Sequence, residues 1–241
     1  AMWANNETGV VSDVPAVAAR AREAGALCFS DGVQAAGKVP LDFAASGLHL
    51  MGLSAHKLYG PQGVGALVRD PAVDLEPLLA GGGQERGLRS GTENVAGIVG
   101  FGAAAERAAG DLARGARRLL DLRRRLEAAA EAIPGVRVVA RDSERLPNTA
   151  LLLVPGIEGE TLTASLDAAG YAISSGSACA SGKGRGSHVL AAMGLVQEAE
   201  ASAVRVSLGR DTAAAHVDGF ATALAGVVQQ FQRMAVMAGA G

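Results

Sequence analysis

The sequence predicts an α/β fold, and three observations carry that reading. Short apolar runs of strand length alternate with longer segments of helical periodicity. Glycine or proline closes many of the helical segments, as at Gly25, Pro134-Gly135, Gly170 and Gly194. Two of the apolar runs end directly in polar residues, at Asp31 and at Ser54-Ala55-His56-Lys57. In a largely parallel sheet, ligands gather beyond such carboxyl ends.

The elements follow in order. Val14 to Ala24 reads as a helix stopped by Gly25. Ala26 to Ser30 is a strand ending at Asp31, Leu48 to Leu53 is the next, and Gly65 to Val68 another. Val95 to Ala109 is helical and rich in small residues. Gly110 and Asp111 mark a boundary, so the chain divides into 1–109 and 110–236. Leu112 to Ala132 is a second helix, with Leu119, Leu122 and Leu126 on one face. Val136 to Val139, Thr149 to Val154 and Val204 to Leu208 are strands. Glu160 to Ala169 and Ser187 to Met193 are helices. Thr212 caps the last helix, which carries Phe220, Leu224, Val227, Val228 and Phe231 as a core stripe.

Composition excludes several functions. The chain has 241 residues, 49 % of them hydrophobic and 19 % charged, with a formal net charge of −2. That leaves no basic footprint for nucleic acid. No apolar stretch is long enough to span a membrane, and the N-terminus lacks a signal-peptide layout. Cys28 and Cys179 give neither a disulfide framework nor paired metal-ligand spacing, which fits a reducing cytoplasm. Arg117-Arg118 and Arg123-Arg124-Arg125 spread around a helix and read as a solvated face. Ala1-Met2-Trp3-Ala4 runs straight into a dense motif, so the chain is expected to begin inside a strand and to be N-terminally incomplete.

The candidate chemistry starts at Lys57. A lysine at the mouth of a buried strand can lose its proton through desolvation and attack a carbonyl. Asp31, followed by Gly32-Val33-Gln34, falls at a neighbouring strand end. There it could keep a pyridine nitrogen protonated; taken alone it also reads as a turn or cap. Asn5-Asn6-Glu7-Thr8-Gly9 is a third polar cluster, alone a turn, whose amides could hold a phenolic oxygen or a carboxylate. Gly81 to Thr92 is glycine-rich backbone suited to a close approach by a ligand or a second subunit. Cys179 sits among Gly and Ser, with Lys183 and Arg185 nearby to favour its thiolate, whereas Cys28 lies in an apolar run and reads as core. Arg205 points away from Val204 and Val206. It is either a surface residue or a bidentate partner for a carboxylate.

Together these segments resemble the cysteine desulfurases of the aminotransferase class V group, which are fold-type I pyridoxal phosphate enzymes. The likeness runs from Asn5 to about Arg210. It is carried by NNETG (5–9), SDGVQAAGKVPLD (30–42), SAHKLYGPQGVGAL (54–67), GGGQERGLRSGTENV (81–95), SSGSACASG (174–182), SHVLAAMG (187–194) and RVSLGR (205–210). The cysteine segment is similar to that of the housekeeping or nitrogen-fixation branch.

The resemblance implies a fold and a chemistry. The fold would be the C-terminal part of a large, mostly parallel cofactor domain plus a smaller α/β domain carrying the cysteine loop. Lys57 would be the amine that condenses with pyridoxal 5'-phosphate, and Asp31 would pair with the pyridine nitrogen. Gln34 and Asn6 would approach the phenolic oxygen. Ser54 and His56 would hold the phosphate, and Thr92 would reach the phosphate of the partner subunit in a homodimer. Asn6 and Arg205 would hold the carboxylate of L-cysteine. Cys179 would take the sulfur as a persulfide, leave L-alanine, and pass the sulfur to an acceptor such as an iron–sulfur scaffold protein. Family members also have an N-terminal portion with a ring-stacking histidine and a Gly-Thr phosphate pair, which map onto no residue of this chain. Two alternatives stay open: a non-catalytic module that dimerises or binds a scaffold, and an enzyme of the selenocysteine lyase type.

Overall fold

A computed structural model of the chain describes residues 1–175, 187–195 and 203–239. It forms two compact units, one of Ala1–Ala4 with Val11–Ala113, the other of Asn5–Val10 with Arg114–Gly241.

The first unit contains a three-stranded sheet in the order β1-β2-β3. It opens with α1 (Val14–Glu23), capped by Asp13, whose Oδ1 accepts from the Ala16 amide at 3.0 Å. Strand β1 (Phe29–Asp31) pairs parallel with β2 (Leu50–Ser54), placing Asp31 opposite Gly52. Strand β3 (Gly65–Arg69) returns antiparallel to β2. The first residues extend the sheet past β1: the Asp31 amide donates to Ala1 O at 2.9 Å, and the Trp3 amide donates to Asp31 O at 2.8 Å. A short helix, α2 (Phe43–Ser46), is capped by Asp42 and closed by Gly47 in the left-handed region. The sequence reading assigned nothing there, because four residues show no period.

Helix α3 (Val95–Glu131) corrects one expectation. It runs without interruption through Gly110, where the sequence suggested that one helix ends before a second begins. An interior glycine costs only about 1 kcal/mol relative to alanine. The Ala-rich flanks of Gly110 carry the helix across it. At its start, Asn94 Oδ1 accepts from the Gly97 amide at 3.0 Å, an N-cap bond.

The second unit contains a four-stranded sheet in the order β4-β5-β7-β6, antiparallel throughout. Its strands are β4 (Arg137–Val138), β5 (Thr149–Leu153), β6 (Ser174–Ser175) and β7 (Ala203–Ser207). Its further helices are α4 (Gly159–Ala168), α5 (His188–Ala192) and α6 (Ala214–Gly239). Strand β5 is buried on both faces, which explains its unbroken apolar run. Ala150 and Leu152 pack with Leu126, Leu162, Leu166, Val204, Phe220 and Leu224. Leu151 and Leu153 pack with Val139, Leu190 and Ala203. The stripe expected on the last helix is core: Phe220, Leu224 and Val228 are buried, with Val227 and Phe231 packed beside them. Thr212, however, is not its cap, because the Thr212 hydroxyl accepts from the Gly209 amide at 2.9 Å.

The arginine cluster also departs from expectation. Arg117, Arg118, Arg124 and Arg125 are exposed. Arg123 is buried, donating to Leu146 O at 2.7 Å and lying beside the buried Glu127. No helix among the described residues is long and apolar enough to cross a membrane.

Candidate functional site

In the first unit, the parallel pairing of β1 and β2 sets two carboxyl ends side by side. Asp31 ends β1. Ser54 ends β2 and passes into a 3-10 turn, Ala55–Leu58. Ala55 and Leu58 are buried while His56 and Lys57, between them, are exposed. The turn is therefore pinned by its apolar ends and presents its two basic side chains outward. Tyr59, at φ 62°, closes it, and the Gly60 amide returns to Ala55 O at 2.9 Å.

Around these ends, several polar groups are uncommitted. Asp31 Oδ1 accepts from the Val33 amide at 2.9 Å, while Oδ2 makes no hydrogen bond among the described residues. Ser54 Oγ and His56 Nδ1 are 2.7 Å apart. Gln34 is half-buried and makes no side-chain hydrogen bond among the described residues, and the same holds for the exposed Lys57 and Thr92. Thr92 lies in the segment just before α3.

Lys38 was missed by sequence reasoning. Its Nζ is buried without a hydrogen-bond partner among the described residues. Burial, and secondarily the charge of Lys57, lowers its pKa from 10.5 to about 8. The only available signal was its place in the segment that also holds Asp31 and Gln34. The adjacent Gly37 has φ +68°, and a Cβ there would lie 2.6 Å from Leu58 Cδ2. The left-handed backbone favours glycine there, and a Cβ would also force the Leu58 side chain to shift.

In the second unit, Asn5 to Gly9 form a tight turn. Asn5 Oδ1 accepts from the amides of Glu7 and Thr8, both at 2.9 Å, and from Thr8 Oγ1 at 3.1 Å. The Leu146 amide donates to Gly9 O at 2.8 Å. Arg205, on β7, donates from Nη1 to Asn6 O at 2.8 Å and from Nη2 to Ser174 Oγ at 3.3 Å. Asn6 and Arg205, expected to act together, are in direct contact. Cys179 lies outside the described residues. Cys28 is buried, as its apolar run suggests.

The donor set fits a phosphorylated pyridine aldehyde. An unpartnered carboxylate oxygen on Asp31 suits a protonated ring nitrogen, and Ser54 and His56 suit a phosphate. The exposed amine of Lys57, unpaired among the described residues, suits an aldehyde carbon.

The class of protein follows. The chain belongs to the aminotransferase class-V family, whose model matches residues 1–220. Among curated relatives it is 47 % identical to a cysteine desulfurase of Cereibacter sphaeroides, over 97 % of this chain and 60 % of that protein. It is 42 % identical to the cysteine desulfurase NifS of Azotobacter vinelandii, over 97 % of this chain and 58 % of that protein. Among solved structures it resembles the NifS-like protein of Rickettsia africae, with a TM-score of 0.88 and 32 % identity over 95 % of this chain and 61 % of that one. It also resembles DndA of Streptomyces lividans, with a TM-score of 0.67 and 33 % identity over 86 % of this chain and 59 % of that one. The chain thus spans about 60 % of the length of the relatives it matches.

Proposed function

We propose that the protein is a cysteine desulfurase, taking sulfur from L-cysteine and leaving L-alanine. The observation that carries this reading is the pair Asp31 and Lys57 at the adjoining carboxyl ends of two parallel strands. The kinship with cysteine desulfurases supports it. Residues 1–109 belong to the cofactor-binding domain and 110–236 to a smaller domain carrying Cys179.

Pyridoxal 5'-phosphate, when bound, supplies an aldehyde for amines and a ring that acidifies the neighbouring Cα–H. Lys57 would hold the aldehyde carbon and would be the base that moves the proton at the substrate Cα. Asp31 keeps the ring nitrogen protonated. Gln34 and Asn6 orient the phenolic oxygen. Ser54 and His56 hold the phosphate, with Thr92 reaching the phosphate of the partner subunit in a homodimer. Arg205 and Asn6 hold the substrate carboxylate. The Cys179 thiolate attacks the substrate sulfur; the C–S bond breaks, its electron pair returns to Cβ, and a proton there completes L-alanine. The persulfide on Cys179 then goes to a cytoplasmic acceptor such as an iron–sulfur scaffold protein.

The test is covalent. Protein incubated with pyridoxal 5'-phosphate, reduced with borohydride and digested should carry the cofactor mass on the Lys57 peptide. Lys57→Ala should abolish it. Added L-cysteine should give L-alanine and one extra sulfur on Cys179. Cys179→Ala should keep the cofactor on Lys57 but form no persulfide. A folded protein that takes up no cofactor would instead favour a non-catalytic dimerisation or scaffold-binding module. Turnover of selenocysteine in strong preference to cysteine would favour the selenocysteine lyase reading.

A further inference from the structure

Glu7 carries a carboxylate into the interior of the second unit, where it is 5 % exposed. A buried carboxylate is retained only when something holds it. Here the Ser187 hydroxyl, itself 2 % exposed, donates to Glu7 Oε2 at 2.5 Å. The same Ser187 oxygen accepts from the Leu190 amide at 3.1 Å, so its proton is left for Glu7. The Glu7 backbone is fixed as well, its amide donating to Asn5 Oδ1 at 2.9 Å. That amide shares one planar peptide unit with the Asn6 carbonyl, which is the group that receives Arg205 Nη1 at 2.8 Å. Any rotation of the plane would swing the carbonyl off the guanidinium. The anchored Glu7 side chain opposes that rotation, because it holds the Cα at one end of the plane.

Arg205 is aimed by two bonds, to Asn6 O and to Ser174 Oγ. Each terminal nitrogen has two N–H groups. One on each remains unused by the described residues, which leaves donors on both nitrogens for a carboxylate.

We propose that Glu7 is a positioning residue for the carboxylate-binding fork of Arg205, acting through the Asn6–Glu7 peptide plane and anchored by Ser187. This rests on the reading of Arg205 as the group that meets the substrate carboxylate. Glu7 touches neither substrate nor cofactor in this scheme; it sets the direction of the side chain that does.

The test compares two amines in the cofactor-loaded, full-length protein. L-Alanine carries the carboxylate and ethylamine lacks it. Their apparent dissociation constants are read from the absorbance change of the bound cofactor. Glu7→Ala should weaken L-alanine about tenfold or more, equivalent to about 1.4 kcal/mol, and leave ethylamine within about twofold. Glu7→Gln keeps an oxygen that can accept from Ser187 and should restore most of the preference. Ser187→Ala removes the same anchor at the loss of one oxygen. It should reproduce the selective loss, and it decides the matter if Glu7→Ala does not fold. Equal weakening of both amines would show a merely structural role and overturn the proposal. So would an unchanged preference for L-alanine in Glu7→Ala or Ser187→Ala. Borohydride trapping on Lys57 is measured alongside. If the wild-type protein traps nothing, the desulfurase reading fails and this inference falls with it; if trapping is normal while the preference is unchanged, only the inference fails.

Discussion

Lys38 shows how a single side chain sets a pH dependence. Its ammonium is buried without a hydrogen-bond partner among the described residues, and burial, followed by the repulsion of Lys57, lowers its pKa from 10.5 to about 8. The unfolded chain keeps its proton to about pH 10.4, so between these limits the unfolded state binds more protons than the folded one. Stability therefore rises with pH across that window. The cost of the buried charge is fully present below pH 8 and is relieved above it. Lys38→Met should stabilise the protein at pH 7 by about 1–3 kcal/mol. Urea midpoints of the two proteins should converge between pH 8 and 10.5; parallel curves would show that Lys38 is not buried as a cation. The residue stands seven positions beyond Asp31 in one turn-rich segment, yet nothing in GKVP separates a buried amine from a solvated one. Burial is a property of the packed neighbours, which the local sequence does not carry.

Among the elements, local signals did most of the work where they were strong. The Gly25 and Gly170 stops and the apolar strands read true, because each depends on backbone chemistry within a few residues. Helix α3 shows the limit. Gly110 looked like a break because glycine is a weak helix former, but a preference of about 1 kcal/mol does not overrule a run of helix-favouring neighbours. A Cβ at Gly110 would meet nothing within 4 Å. Gly110→Ala should therefore stabilise the protein by about 0.5–1 kcal/mol, read as a higher thermal midpoint without change in cofactor trapping at Lys57. A lower midpoint would mean that the helix is not continuous there.

Over the whole molecule, the strand-end groups were legible because a parallel pair must place its carboxyl ends together. The pairing sets Asp31 opposite Gly52, with Lys57 in the turn that leaves the same strand β2. What was not legible is the pairing of residues distant in sequence that no motif ties together, such as Glu7 with Ser187. Arg123 is the sharpest case. It stands among exposed arginines, but in the fold it shares the buried carboxylate of Glu127 with Arg145 and Arg141. The Arg145 side chain is 1 % exposed, and its Nη1 lies 2.9 Å from Glu127 Oε1. Arg123 also donates to Leu146 O, and the Leu146 amide donates to Gly9 O. The arrangement thus links α3 to the Asn5–Gly9 turn. Burial and the charge of Arg145 lower the pKa of Arg123, and Glu127 acts against them. Removing Glu127 alone leaves two buried guanidinium groups repelling each other, and breaking such a pair costs about 3–5 kcal/mol. Glu127→Leu should lower the stability of the whole protein by that order in urea unfolding. Glu127→Leu combined with Arg145→Met should recover much of the loss, since an apolar replacement of both partners removes the desolvation cost with the attraction. A single variant within about 1 kcal/mol of wild type would show that Glu127 is not the counter-charge of this cluster. A double variant no better than the single would locate the cost in lost packing rather than in unpaired charge.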